Sequence, residues 1–274
     1  MSNHFYHPTT GELVGGLREA RLVSALPSPT TVLGLIKGEG LIQYFKKSMF
    51  EAAVTTPRRP EWTDAEFYDA CVKWSEEHSL AARDKGLALH KIIQEFHQAV
   101  VGMRPFPEVV EYLHGSGMAA IATAELRDGF DLYLRWYEKW VRKTLAVEQF
   151  VVGQGYAGRE DHCCVLQDGR TALVDVKTQD LSKKKRFTFY PEWSYQLGAY
   201  AGAAPPYLGE HQKRHIDCII SIAVASTGPA ALEAKVWERP PSYYHGLFMG
   251  LLAIWQESNN YFPTTTDRPV EAMP

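Results

Sequence analysis

Apolar and polar positions follow a helical period through roughly the first half of the chain and an alternating period after it. Leu89, Ile92, Ile93 and Phe96 recur three and four residues apart, which predicts a helix over residues 80–100 that buries this stripe and turns Gly86, His90, Gln94 and His97 to another side. Leu41, Phe45 and Met49 predict a helix over 41–53. Thr63 followed by Glu66 has the spacing of a capping box and opens a helix to about residue 78, with Phe67, Cys71 and Trp74 along one side. A short helix over 108–113 sits between Pro105/Pro107 and Gly115/Gly117, and a longer one over 119–143 carries Trp136, Tyr137 and Trp140 as core aromatics. Residues 1–26 read as an irregular lead-in.

From Leu145 the period is two, predicting strands over 145–152, 156–166 and 171–178. Pro191, well suited to a first helical turn, starts a helix that reaches Tyr200. Strands over 215–225 and 232–237 and a helix over 241–260 follow. The fold class is therefore α/β, with a helical region over 1–143 and a strand-rich core over 144–274 forming one integrated domain. There is no internal repeat or low-complexity tract.

The chain of 274 residues is long enough for a sizeable core, and 45% hydrophobic with 22% charged residues is the balance of a soluble globular protein. No run approaches a membrane span, and the N-terminus, with His4, His7 and Pro8, lacks the charged-then-apolar layout of a signal. The expectation is an intracellular protein with no membrane partner. Cys71, Cys163, Cys164 and Cys218 form no Cys-x-x-Cys pair, and neighbours on a strand face opposite sides, so neither a zinc finger nor a disulfide framework is expected. The formal net charge of −3 requires any nucleic-acid surface to be local. Two basic clusters offer one: Arg58-Arg59 and Lys183, Lys184, Lys185 and Arg186.

Two segments carry candidate chemistry. In Leu26-Pro27-Ser28-Pro29-Thr30-Thr31, the hydroxyls of Ser28, Thr30 and Thr31 stand at a helix start, where they either cap it or join its N–H groups as a phosphate seat. In the strand over 171–178, Leu173, Asp175 and Lys177 share one face and Ala172, Val174 and Val176 the other. An exposed i,i+2 ion pair is the simplest account of Asp175 and Lys177. The alternative depends on the hairpin before them. A two-residue turn at Asp168-Gly169 would set Asp161 opposite Val176, whereas a three-residue loop, 167–169, with Gly169 left-handed sets Asp161 opposite Asp175. The three-residue loop is the expected one.

Two carboxylates brought together on a sheet repel unless a cation joins them. Carboxylate, carbonyl and water ligands suit Mg2+ or Mn2+, and an imidazole such as His90 tilts the set toward Mn2+. Lys177 beside them aligns a water or stabilises a developing phosphorane, and Glu148 on the neighbouring strand accepts from Lys177 or assists the metal. The ensemble describes metal-assisted phosphodiester hydrolysis.

Taken in order, Gly86-Leu-Ala-Leu-His90, Glu148, Gly155-Tyr-Ala-Gly-Arg-Glu-Asp161, Asp175-Val-Lys-Thr178 and Gln196-Leu-Gly-Ala-Tyr200 resemble the PD-(D/E)XK nuclease superfamily in its RecB-like exonuclease branch. The Pro-Ser-x-Thr segment near residue 28 is similar to one near the start of mitochondrial genome maintenance and phage exonucleases. The resemblance implies a restriction-endonuclease-like αβββαβ core with a mixed central sheet. It implies that His90, Asp161, Asp175 and the Val176 carbonyl bind Mg2+ or Mn2+, that Lys177 is catalytic with Glu148 assisting, and that Gln196 and Tyr200 position the DNA or the lysine. It also implies that helices within 41–143 arch over the site. Some relatives carry an iron–sulfur cluster on one upstream and three C-terminal cysteines; the cysteines here do not fit, so no cluster is expected. The implied activity is an exonuclease on single-stranded DNA or DNA ends in recombination, repair or replication, working beside other proteins of those processes, with Lys183–Arg186 and Trp193 as further DNA contacts. A structure-specific endonuclease and a non-catalytic DNA-binding subunit are the alternatives.

Overall fold

The computed structural model describes residues 4–36, 39–101, 124–182, 185–206 and 214–263. The predicted helix over 108–113 and Lys183 and Lys184 lie outside these residues. The lead-in is more regular than its sequence suggests. Strands β1 (Phe5–Tyr6), β2 (Leu13–Val14) and β3 (Leu26–Pro27) form a small sheet in the order β2-β1-β3, with helix α1 (Leu17–Leu22) connecting β2 to β3. Two-residue strands are too short to show an alternation. Helix α2 (Pro29–Val32) follows, then a 3-10 turn over Leu33–Ile36.

Helix α3 (Glu39–Thr55) leads to α4 (Asp64–Val101), a single 38-residue helix where the apolar pattern predicts two. The same face is buried on either side of the interruption near residue 78, since Cys71 and Ser75 stand about five turns before Leu89 and Ile93, and no proline stands within the helix to break the backbone ladder. The capping box is in place, with Thr63 N–H donating to Glu66 Oε2 at 2.8 Å and Glu66 N–H to Thr63 Oγ1 at 3.3 Å. Helix α5 (Ala124–Trp140) ends three residues earlier than its pattern predicts, because Val141 already pairs with Leu166 as the start of β4 (Val141–Gly153).

The central sheet contains β4, β5 (Tyr156–Leu166), β6 (Thr171–Asp180), β7 (Cys218–Thr227) and β8 (Leu232–Val236) in that spatial order. Pairing is antiparallel except between β6 and β7, which run parallel around the connecting helix α6 (Pro191–Gly202). Helix α7 (Pro241–Asn259) closes the described chain. The order α5-β4-β5-β6-α6-β7 is an αβββαβ sequence on a mixed sheet.

Strand alternation divides the core. Val174, Val176, Ile220, Ile222 and Val224 pack beneath Leu89, Ile93 and Phe96 of α4 and Phe130 and Tyr133 of α5. On the opposite face Leu173, Ile219, Val151 and Cys163 pack beneath Leu197 and Tyr200 of α6 and Phe248 and Leu252 of α7. The first of these clusters spans residue 143, so the helical region and the strand-rich region share one core. Helix α6 lies very close to α7: a Cβ on Gly198 would stand 2.6 Å from the His245 backbone nitrogen. No described helix is long and apolar enough to cross a membrane.

Candidate active site

The β5–β6 hairpin sets the site. Leu166 N–H donates to the Arg170 carbonyl at 2.8 Å, leaving residues 167–169 as the loop, and Gly169 takes φ 92°, a left-handed value that glycine adopts without a Cβ clash. This is the three-residue loop, and the pair His162–Val174 then places Asp161 and Asp175 next to each other across the strands. Regular pairing ends there. Asp161 takes over the backbone's role, its Oδ2 accepting from Val176 N–H at 3.2 Å. On the other side of β5, Glu148 lies between the pairs Val147–His162 and Gln149–Glu160, opposite Asp161. Three carboxylates therefore stand in a row across three strands.

Asp175 and Lys177 form the i,i+2 pair at 2.7 Å, but they are not a solvated strand end. Asp175 is 1% exposed, and its Oδ2 is buried with no hydrogen-bond partner among the described residues. Burial pushes its carboxyl up to about 6, with Lys177 opposing and Asp161 adding to the rise. Burial pulls the Lys177 ammonium down, yet the carboxylates of Asp175 and Asp161 outweigh it and the net shift is upward, so the lysine is charged. Lys177 donates to Asp175, and among the described residues it does not pair with Glu148, which leaves Glu148 the second of its two expected roles, assistance to a metal.

Glu148 is unusual in backbone and side chain alike. Its φ of 47° is left-handed in the middle of a strand, a conformation that costs a residue bearing a Cβ about 1 kcal/mol or more. Arg159 Nη1 donates to its carbonyl at 3.2 Å and holds the turned peptide. Burial, then the charge of Asp161, raises its carboxyl to about 7, with Arg159 opposing. Glu148→Gly and Glu148→Gln both remove the carboxylate, but only glycine is at ease at this φ. The glycine variant is expected to be the more stable by about 1 kcal/mol in denaturant titration; a less stable glycine variant would show that the backbone here is unstrained.

His90 reaches the row from α4, its Nδ1 3.6 Å from Asp161 Oδ2. His90, Glu148, Asp161 and Val176 line one small cleft with His97 and His162. Gly86, one turn before His90, lets α4 lie close to β6, where a Cβ would meet Thr178 Oγ1 at 2.9 Å. From the other helical layer, Gln196 Nε2 donates to Tyr200 Oη at 3.2 Å. Burial raises the Tyr200 phenol well above its ordinary value, and the charges of Asp161 and Asp175 add to the rise. Tyr200 packs on Gly158, where a Cβ would stand 2.8 Å from its ring. Among the described residues, no three His, Cys, Asp or Glu side chains form a ready-made metal cluster. Hard cations also take carbonyl and water ligands, and the buried Asp175 Oδ2 beside Asp161 is an acceptor with no donor among the described residues, so the residues fit such an ion.

The remaining sequence candidates divide. Ser28 and Thr31 are buried and engaged: Ser28 Oγ accepts from Thr31 N–H at 3.1 Å, and Thr31 Oγ1 donates to the His4 carbonyl at 3.0 Å. They cap α2 and tie it to the lead-in. Thr30 is exposed, its hydroxyl 2.9 Å from that of Ser28. Lys185 and Arg186 are exposed, and Trp193 is half-buried against Phe189 and Tyr190.

Sequence reasoning missed the groups that support the row. The rings of His97 and His162 lie beneath it with centroids 3.9 Å apart and a tilt of 32°, bonded to Tyr133 Oη at 2.9 Å and Thr144 Oγ1 at 3.0 Å respectively. Burial lowers both imidazoles, His162 to about 3 and His97 well below its ordinary value. Glu160 and Arg214 form a buried bidentate pair, and the same guanidinium donates to the Tyr200 carbonyl at 3.2 Å, joining β5 to the end of α6. Glu160 and His162 flank Asp161 in the sequence, the one available signal.

No family model and no curated protein matches the chain. Among solved structures, the crystal structure of SSO0001 is similar at 13% identity over 66% of this chain and 95% of that one, with a TM-score of 0.28. A likeness that slight carries no argument about fold or function.

Proposed function

We propose that the protein is a metal-dependent nuclease of restriction-endonuclease-like architecture that hydrolyses phosphodiester bonds in DNA, acting on single strands or free ends. The observation that carries this reading is the meeting of Asp161 and Asp175 at the point where β5 and β6 part, with the charged Lys177 on the same strand and one Asp175 oxygen buried and unbonded. A row of carboxylates in which the charge of Asp161 adds to the raised pKa of both Glu148 and Asp175 is poor structural design and good cation-binding design.

Asp161, Asp175, the Val176 carbonyl and His90 would hold Mg2+ or Mn2+, which when bound neutralises the carboxylates and polarises a phosphate oxygen and a water. The Lys177 ammonium donates toward the non-bridging oxygens, where negative charge grows during attack at phosphorus. Glu148, titrating near neutrality beside Asp161, takes up the proton released by the attacking water. Gln196 and Tyr200 hold the α6 side of the site in register. Lys185, Arg186 and the Phe189–Tyr190–Trp193 cluster near the start of α6 supply charge and ring faces for a single strand.

The test is digestion of single strands labelled at either end, with each end free or blocked, in Mg2+ or Mn2+, alongside a covalently closed single-stranded circle. Metal-dependent loss of the free-ended strands with the circle intact is expected. Cleavage of the circle would make the enzyme an endonuclease, and no cleavage in either metal would reduce the fold to a binding subunit.

A further inference from the structure

β8 is the last strand of the sheet, and among the described residues its outer edge pairs with no other strand. Trp237 N–H donates to the Ile219 carbonyl at 3.1 Å, and Ala225 N–H to the Ala231 carbonyl at 3.0 Å. Counting in twos along this antiparallel ladder, the backbone groups of Glu233 and Lys235 face β7, and those of Leu232, Ala234 and Val236 face outward. The strand Leu232-Glu233-Ala234-Lys235-Val236 has a further property: read outward from Ala234 in either direction, it meets a charge and then an apolar residue, and the two charges are opposite.

We propose that β8 pairs antiparallel with β8 of a second copy of this chain about a two-fold axis at Ala234, joining two five-stranded sheets into one. Three observations converge on that partner and register. First, the outward backbone groups of Ala234 would exchange both hydrogen bonds with their symmetry mates, and those of Leu232 would do so with Val236 of the second copy. Second, Glu233 would lie opposite Lys235 of the second copy, twice by symmetry, in the non-hydrogen-bonded positions where side chains of opposing strands come closest. Glu233 is exposed and has no ion pair among the described residues, while Lys235 is held on the same side of the sheet by the rings of Trp237 and Phe189, 4.2 and 5.8 Å from its Nζ. A slip of two residues in either direction would set Glu233 against Glu233 or Lys235 against Lys235, so charge fixes the register.

Third, the other side of the strand is largely apolar and is left partly exposed by the described residues. Trp136 and Trp140 of α5, with Ile220, Leu232 and Val236, line a groove of about 560 Å3, and Trp140 and Val236 are nearly half exposed. In the proposed register, Leu232 and Val236 of the second copy extend the apolar face over this groove.

Sedimentation velocity or light scattering of the full chain over a wide concentration range tests the pairing. The expected result is a mass that rises with concentration to twice that of one chain. Glu233→Lys and Lys235→Glu should each return the mass to that of a single chain, and combining them should restore the doubling. A wild-type protein that keeps the single-chain mass throughout overturns the proposal. So does a doubled mass that either single substitution leaves intact, or a combined variant that stays single while its circular dichroism matches wild type.

Discussion

Asp175→Asn is expected to lower the rate of phosphodiester cleavage by at least about a hundredfold, the scale seen when one charge-stabilising group leaves an active site, and to do so with little loss of stability. Asp175 is poorly served as a structural residue: it is buried, held near a pKa of about 6 chiefly by desolvation, repelled by Asp161 and left with one oxygen unbonded. An asparagine keeps an acceptor for Lys177 and removes the buried charge. The lysine left behind is about a quarter exposed and retains the field of Asp161, so its charge remains compensated. Lys177→Met should be equally inactive but less stable, because it strands the fully buried carboxylate, and breaking a buried pair from that side costs roughly 3–5 kcal/mol before the acid protonates. Turnover of a labelled single strand, measured beside denaturant midpoints of both variants, decides the matter. Wild-type cleavage by Asp175→Asn would remove the central residue of the proposed mechanism.

The contrast between these two substitutions shows which part of the site can be read in one dimension. Alternation places Asp175 and Lys177 on one face and Val174 and Val176 on the other, and the length of the hairpin loop decides whether Asp161 joins them. Both are local properties of strand geometry, as is the capping box at Thr63 and Glu66. The left-handed backbone of Glu148 is not local: it occurs where β4 must follow a β5 that is parting from β6, and nothing in the residues around Glu148 encodes it. The same holds for the neutral pair of His97 and His162, residues separated by the end of α4, all of α5 and β4 and the first part of β5. Helical spacing marks His97 as sharing a side with His90, but only packing against β5 makes it a buried base. The continuity of α4 past residue 78 was hidden for another reason: the polar run Glu76-Glu77-His78 breaks the apolar stripe, although Cys71 before it and Leu89 after it are buried on the same face.

Acidification acts on the two groups lining this cleft in opposite senses, and the variants that separate them should shift in opposite directions. The imidazoles of His97 and His162 are held neutral by burial, His162 down to about 3, whereas an unfolded histidine titrates near 6.5. Between those values the unfolded chain binds more protons, so their contribution to stability is complete above about pH 6.5 and falls as the pH drops. Asp175, raised to about 6, and Glu148, raised to about 7, do the reverse: the folded state binds the extra protons, and their contribution grows as the pH falls toward the unfolded carboxylate range. In the metal-free wild type these trends oppose each other, and the denaturant midpoint is expected to change little between pH 7 and 5. His162→Phe removes one destabilising proton site and should gain about 2 kcal/mol relative to wild type over that interval, at about 1.4 kcal/mol per pH unit once the unfolded histidine is protonated. Asp175→Asn removes a stabilising one and should lose about 1 kcal/mol over the same interval. Shifts of the same sign in the two variants would mean that the charges of the row and the imidazoles beneath it are not balanced in this way.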